Sequence, residues 1–220
     1  MTFLPIFSSM LITIGISALF KKKKEKLKFN KPVVIIDPFE TLLKYKFSLL
    51  NLRYIFYRRK YTEEFLFNMG YLYDLVFITD NSLINNKLYT FLDPLGVVKY
   101  KFYTSNKKKE IKNILDYNEG IVLSNKDNEK TLNIGNYSNG NLLDVVDFFS
   151  SIKLMNVNMI KTIESYKNKD FFKSWNFVQN RIFDMRNMLS FKKYRDIKKQ
   201  SYIDKINTYK ENKQNILNES

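Results

Sequence analysis

The chain has 220 residues, no cysteine, no histidine and a formal net charge of +15. These totals exclude disulfides and Cys-ligated zinc. They also remove imidazole as general base, pH switch or metal ligand, so any proton transfer would fall to carboxylates, Lys or Tyr. With 45% apolar and 16% aromatic residues, the length allows one well-filled domain plus tails.

The basicity sits at the ends. Residues 1–30 carry six lysines against one glutamate (+5), residues 151–220 carry fifteen Lys/Arg against seven Asp/Glu (+8), and the middle carries sixteen against fourteen (+2). A nucleic-acid-binding module concentrates charge on one face of its fold, so nucleic acid is not an expected partner. Phe3 to Phe20 contains no charged residue and is closed by Lys21 to Lys24. As a helix it would span about 27 Å, enough for a thin bilayer. A secretory signal needs a basic leader and a small-residue cleavage site, and neither is clear here. Residues 3–20 are therefore read as an uncleaved transmembrane anchor, followed by a basic linker to residue 30. The positive-inside rule places the lysine flank on the cytosolic or matrix side.

Val33-Val34-Ile35-Ile36 is a β-branched apolar run and predicts a strand buried on both faces. It ends at Asp37, where open α/β sheets place their functional residues. Tyr45 to Tyr57 alternates and predicts a hairpin whose aromatics pack on one another. Thr62 to Met69 predicts a helix capped at Thr62, with early carboxylates, stopped by Gly70. Tyr73 to Thr79 predicts a second parallel strand. A helix is expected over Asn81 to Phe91, a turn at Asp93-Pro94-Leu95-Gly96, and a strand over Val97 to Tyr103. Lys107-Lys108-Lys109 reads as a solvated loop, Ile111 to Leu115 as a short helix, Gly120 to Ser124 as a third parallel strand, and Thr131 to Gly140 as a polar loop. Leu142 to Ile152 is apolar at helical spacing. So are Met159, Ile160, Ile163 and Tyr166, and then Phe171, Trp175, Val178 and Ile182. Beyond Phe191 charges dominate, which predicts either an exposed helix or a disordered tail. The alternation implies a doubly wound α/β domain with helices on both faces. The expected organisation is anchor and linker over 1–30, α/β domain over 31–153, packed helices over 154–190, and basic tail over 191–220.

Asp37-Pro38-Phe39-Glu40-Thr41-Leu42 resembles the Asp-x-Asp-x-Thr signature of the haloacid-dehalogenase phosphatases, in the Asp-Leu-Asp-Glu-Thr-Leu form of those acting on the polymerase carboxy-terminal domain. The resemblance implies a haloacid-dehalogenase-like fold. It puts Asp37 at the nucleophile and magnesium-ligand position and Phe39 at that of the general acid/base. A phenyl ring can neither protonate a leaving group nor activate water. Thr79 matches the phosphoryl-binding hydroxyl. Lys109 is the first choice for the charge-stabilising lysine, with Lys107, Lys108 and Lys112 competing. Ser124-Asn125-Lys126 stands where one or two Asp would hold magnesium, and this is a poor donor set for a hard dication. These motif positions are thus vestigial, and no catalytic activity, metal or cofactor is expected.

A longer stretch is similar to the presequence-receptor subunit of the TIM complex, the import translocase of the inner mitochondrial membrane and a catalytically degenerate relative of these phosphatases. Arg59 stands in the family's Arg-Pro-Gly, with Lys60 and Tyr61 replacing the last two. Leu72 to Thr79 is similar to Leu-Tyr-Glu-Ile-Val-Ile-Phe-Thr. Asp93-Pro94-Leu95-Gly96-Val97-Val98-Lys99-Tyr100 resembles Asp-Pro-x-Gly-Phe-Ile-Ser-Tyr, and its Pro favours the import subunit over the phosphatases. Asn156 to Ile163 resembles the helix after that domain. The resemblance covers roughly residues 31–185. It implies a non-enzymatic receptor in the inner membrane of a mitochondrion or mitosome, with its domain in the intermembrane space. Its expected partners are the channel-forming subunit, other translocase subunits and precursors with basic presequences. That orientation is opposite to the one the lysine flank favours. The alternative is a membrane-anchored phosphatase of the endoplasmic reticulum or nuclear envelope, or another pseudophosphatase scaffold.

Overall fold

The computed structural model describes residues 27–50, 52–83, 85–125, 130–135, 140–183 and 188–219. The predicted anchor at residues 3–20 lies outside them. Among the described residues no helix is long and apolar enough to cross a membrane.

The core is a five-stranded parallel sheet. Its strands are β1 (Val33–Ile36), β4 (Asp74–Thr79), β5 (Tyr100–Tyr103), β6 (Gly120–Ser124) and β7 (Thr131–Asn133), in the order β5-β4-β1-β6-β7. β1 is the central strand, pairing with β4 and β6 in parallel, so that Ile36 faces Phe77 on one side and Leu123 on the other. All four of its residues are 0% exposed, as an apolar run covered on both faces requires. A separate antiparallel hairpin, β2 (Leu43–Ser48) and β3 (Arg53–Arg58), follows the short helix α1 (Pro38–Thr41).

The strand pleat divides the core in two. Val34, Ile36, Leu75, Phe77, Ile121 and Leu123 face a large cluster with α2 (Thr62–Leu72) and α5 (Leu142–Met155). Val33, Ile35, Val76, Ile78 and Val122 face a smaller cluster with α4 (Lys107–Tyr117), to which Leu27 and Phe29 add apolar cover. Helices thus flank both faces, as expected. Helix α3 (Asn86–Leu92) links β4 to β5. Beyond the sheet, α6 (Met159–Glu164) and α7 (Phe171–Phe183) dock through rings gathered about Phe148: Tyr166, Phe171 and Trp175 lie edge-on at 5.1–5.2 Å between centroids.

Several elements differ from the sequence reading, each for a local reason. The Lys107-Lys108-Lys109 run is the first turn of α4, not a loop, because Asn106 caps it and accepts the Lys109 N–H at 3.2 Å. Thr131–Asn133 is the edge strand β7, held by β6, rather than polar loop. Helix α3 starts at Asn86, and its N-cap Asn85 lies six residues after the end of β4 and beyond the Asn81 turn. β5 is shorter than predicted because Asp93 ties down what precedes it: its carboxylate accepts Val97 N–H at 2.8 Å and Val98 N–H at 2.9 Å, while Gly96 turns the chain at φ +67°. In α7 the exposed Val178 yields its predicted core place to Gln179. Thr62 is the first residue of α2 and not its cap. Tyr61 precedes it at φ +65°, the left-handed region that favours glycine.

Residues 188–219 form one 32-residue helix, α8, about 48 Å long. It lies on α2 and α5 and is not a free tail. Among its described side chains Tyr202 and Ile206 are buried, and burying one of the size of Ile206 contributes about 1.5–3 kcal/mol.

Gly70 does not stop α2, which runs two residues further. It is small because Val97 lies against it: a Cβ there would sit 2.1 Å from Val97 Cγ1. Gly70→Ala is expected to lower stability by about 1–3 kcal/mol, and Val97→Ala added to it to recover most of the loss. Two losses that simply add in thermal unfolding would mean that this contact is not the cause.

At the amino end of β4, Asp74 accepts N–H groups from Asn30 at 2.7 Å and Lys31 at 3.3 Å, and the Lys99 ammonium at 2.9 Å. Burial works to raise its pKa, but the Lys99 bond and the two amides outweigh it and hold the carboxyl below its ordinary value. A lowered folded pKa gives stability that is present above the ordinary carboxylate range and lost as pH falls through the folded pKa. Asp74→Asn should therefore cost about 1–3 kcal/mol at neutral pH, and the gap to wild type should close below about pH 4. A gap that is constant with pH in denaturant titrations would contradict this account.

Candidate functional site

β1 delivers Asp37 to the carboxyl edge of the sheet, at the strand where the order reverses, the usual site position in open α/β folds. Asp37 is only 4% exposed. Its Oδ1 caps α1, accepting the Phe39 N–H at 2.9 Å, and its Oδ2 accepts a hydrogen bond from Lys107 Nζ in a buried ion pair. Thr41 Oγ1 donates to Asp37 O at 2.8 Å. Arg59, also 4% exposed, donates from Nη1 to Thr41 O at 3.1 Å and lies over the Phe172 ring. The motif arginine thus braces the loop after β1 rather than reaching toward solvent.

A cleft of about 760 Å³ opens at this edge, between the sheet and α4. Its floor is apolar, from Ile35, Ile78, Val122, Ile111 and Leu115, and its rim carries Asp37, Asp80 and Asp116 against Lys107, Lys108, Lys112 and Lys130. Asp37 and Ser124 both line it; Phe39, Thr79 and Lys109 are not among its lining residues.

The expected positions therefore come together only in part. Lys107, not Lys109, is the lysine that meets Asp37. Two positions along a helix is a turn of about 200°, and Lys109 is exposed. Thr79 is fully buried, with its hydroxyl accepting the Asn81 N–H at 3.1 Å, so it serves the turn after β4. Ser124 is buried at the end of β6. Phe39 does not face the cleft chemistry. It packs edge-on against Tyr45 at 5.8 Å and Phe56 at 6.4 Å, joining α1 to the hairpin. The Asp-Pro-Leu-Gly motif is a turn stapled by the buried carboxylate of Asp93, which also meets Lys101 at 3.4 Å.

Magnesium does not fit this arrangement. A hard dication needs several oxygen ligands, anionic ones above all. Here the Asp37 carboxylate is bonded to an ammonium and an amide, and its neighbour on β6 is a hydroxyl. Among the described residues no group of three or more Asp or Glu converges to hold a metal ion. Tyr89 lies near enough for the Asp37 charge to add to burial in raising its phenol pKa, which weakens it as an acid.

The hairpin beyond Phe39 carries exposed aromatic and leucine side chains beside Lys44, Lys46 and Arg53. Tyr45, Phe47 and Tyr54 pair edge-on within it, as predicted. Leu49, Leu50 and Leu52 at its end are 79%, 97% and 79% exposed. The sequence reading missed these leucines because it attended to the aromatics. Three leucines at a hairpin turn, where Gly, Asn and Asp are usual, were the available signal.

A scan against protein-family models finds no match for the chain, and a search of curated proteins finds no match either.

Lys107→Met should remove the counter-charge of a buried carboxylate and cost about 3 kcal/mol. Asp37→Asn alone should cost less, and the double variant should be more stable than Lys107→Met alone by at least about 1 kcal/mol. Strict additivity in a double-mutant cycle would show that the two side chains are not energetically paired.

Proposed function

We propose that this chain is a non-enzymatic docking subunit built on a haloacid-dehalogenase-like domain, acting as a receptor in the presequence translocase of the inner membrane of a mitochondrion or mitosome. The carrying observation is that Asp37 is neutralised by Lys107 while Phe39 is committed to the hairpin. Asp37 is thus held by a lysine, the position two residues on carries no proton donor, and among the described residues no carboxylate cluster stands ready for a dication. A domain in that state acts by binding. The strand order and the hairpin after β1 agree with the fold implied by the motifs at Asp37, Leu72 to Thr79 and Asp93 to Tyr100. The exposed leucines of the hairpin give it apolar surface of the kind that marks partner sites. The receptor would take precursors with basic presequences and the channel-forming subunit, with residues 3–20 as its membrane anchor.

The test is a mild-detergent pull-down of the full-length protein with crosslinking. Recovery of the inner-membrane import channel is expected, and its loss with Leu49→Ser, Leu50→Ser and Leu52→Ser combined would assign the hairpin as the contact. Recovery of endoplasmic-reticulum or nuclear-envelope proteins without import subunits would sink the receptor reading. In parallel, the purified protein should not turn over a phosphopeptide with magnesium. Turnover abolished by Asp37→Asn would favour the membrane-anchored phosphatase instead.

A further inference from the structure

We propose that the groove between α2 and α5 is a receptor site for a basic amphipathic helix of another polypeptide, and that α8 fills it in cis as a displaceable plug. The groove is carboxylate-lined. Asp144 and Asp147 lie one turn apart on α5 and, with α8 in place, are only 7% and 4% exposed, and Glu63 adds a third carboxylate from the first turn of α2. Buried carboxylates demand a cationic partner, and α8 supplies it from one face. Lys198 pairs with Asp147, Lys199 with Asp144, and Lys210 with Glu63 at 2.6 Å. Between the lysines the same face carries Tyr202 and Ile206, both buried. Residues 198, 202, 206 and 210 recur every four positions, which keeps them on one side of a helix. The Asn68 amide donates to Tyr202 O at 3.2 Å, and the Phe67 ring meets Tyr209 at 5.1 Å.

The site therefore reads a pattern: lysines a few turns apart, with an aromatic and a branched aliphatic residue between them. That is the helix-in-groove mode, with charge setting the choice of ligand. The bond and charge of Asp147 outweigh the burial of Lys198 and keep its ammonium protonated, so the pairing is present at neutral pH. The contacts that hold α8 in the groove fall between residues 198 and 210. Among its described side chains Tyr202 and Ile206 are buried, and every one from 207 to 218 is exposed. A helix of the same pattern with more apolar side chains on that face displaces it. The groove and its plug rest on the geometry alone; that the incoming helix is a precursor's presequence rests on the receptor reading above.

The test uses the full chain in its detergent and, as probe, a fluorescent peptide of its own residues 193–212. A control peptide carries Glu in place of the lysines at 198, 199 and 210. The probe should bind saturably and the control should not. At saturation, amides 198–206 of the full chain should exchange with deuterium at least tenfold faster, while those of α2 and α5 keep their protection. The full chain carrying Lys198→Glu and Lys199→Glu should bind the probe at least tenfold more tightly. Failure of the probe to bind, or binding that leaves α8 protected, overturns the proposal on the wild-type chain alone, whether or not the double variant folds. Displacement of α8 without recovery of the import channel in the pull-down would leave the groove standing and sink the receptor reading. The reverse pair of results would sink the groove alone.

Discussion

Val33 to Ile36 hydrogen-bond to a parallel neighbour on each side, and water reaches neither face. That double burial is the constraint from which the rest follows. A four-residue strand so placed has to be wholly apolar, so it carries no polar group until it leaves the sheet. The first polar side chain, Asp37, emerges at the edge where β4 and β6 also end. Everything at that edge answers to Asp37: α1 is capped by it, α4 is oriented so that Lys107 reaches it, and the hairpin is joined to it through Phe39. A carboxylate at that depth has to be ionised and paired or else protonated, and here it is paired.

Much of this was legible in the sequence. Fully buried parallel strands read as continuous apolar runs, so β1, β4 and β6 stand out, and the Asp at the end of β1 marks the edge. The hairpin was legible from its aromatic alternation. What escaped had weak local signals. β7 is three residues long and is a strand only because β6 pairs with it. The start of α4 was hidden by three lysines in succession, although Asn106 before them is a good cap. The distinction between Lys107 and Lys109 depends on which way a helix faces a sheet, and a motif cannot carry that information. Gly70 looked like a stop signal and is instead a clearance for Val97. The docking of α8 was invisible because charged residues dominate its sequence, while the carboxylates it meets lie on helices far away in sequence.

Motif residues have been put to structural use. Asp37 caps, Thr79 and Asp93 each hold a turn, and Arg59 braces a loop. In these roles the side chains satisfy buried backbone groups of the scaffold. Tyr61, at a backbone conformation better suited to glycine, carries strain at the mouth of α2 that the cation of Lys60 against its ring, at 4.7 Å, partly offsets.

The Asp74 clasp gives the molecule a polarity. It gathers Asn30, Lys31 and Lys99 at the amino edge of the sheet, and Leu27 and Phe29 lie against the sheet just before it. The Asp37 cleft opens at the opposite edge, one strand length away, and the hairpin begins there. A pull transmitted along the chain from ahead of residue 27 would load β1 and β4 lengthwise, in shear against their neighbours, with the cleft facing away from the point of attachment. Parallel strands loaded in that direction must break their hydrogen bonds together rather than one at a time. A load from that end would therefore meet the hydrogen bonds of β1 to both neighbours at once.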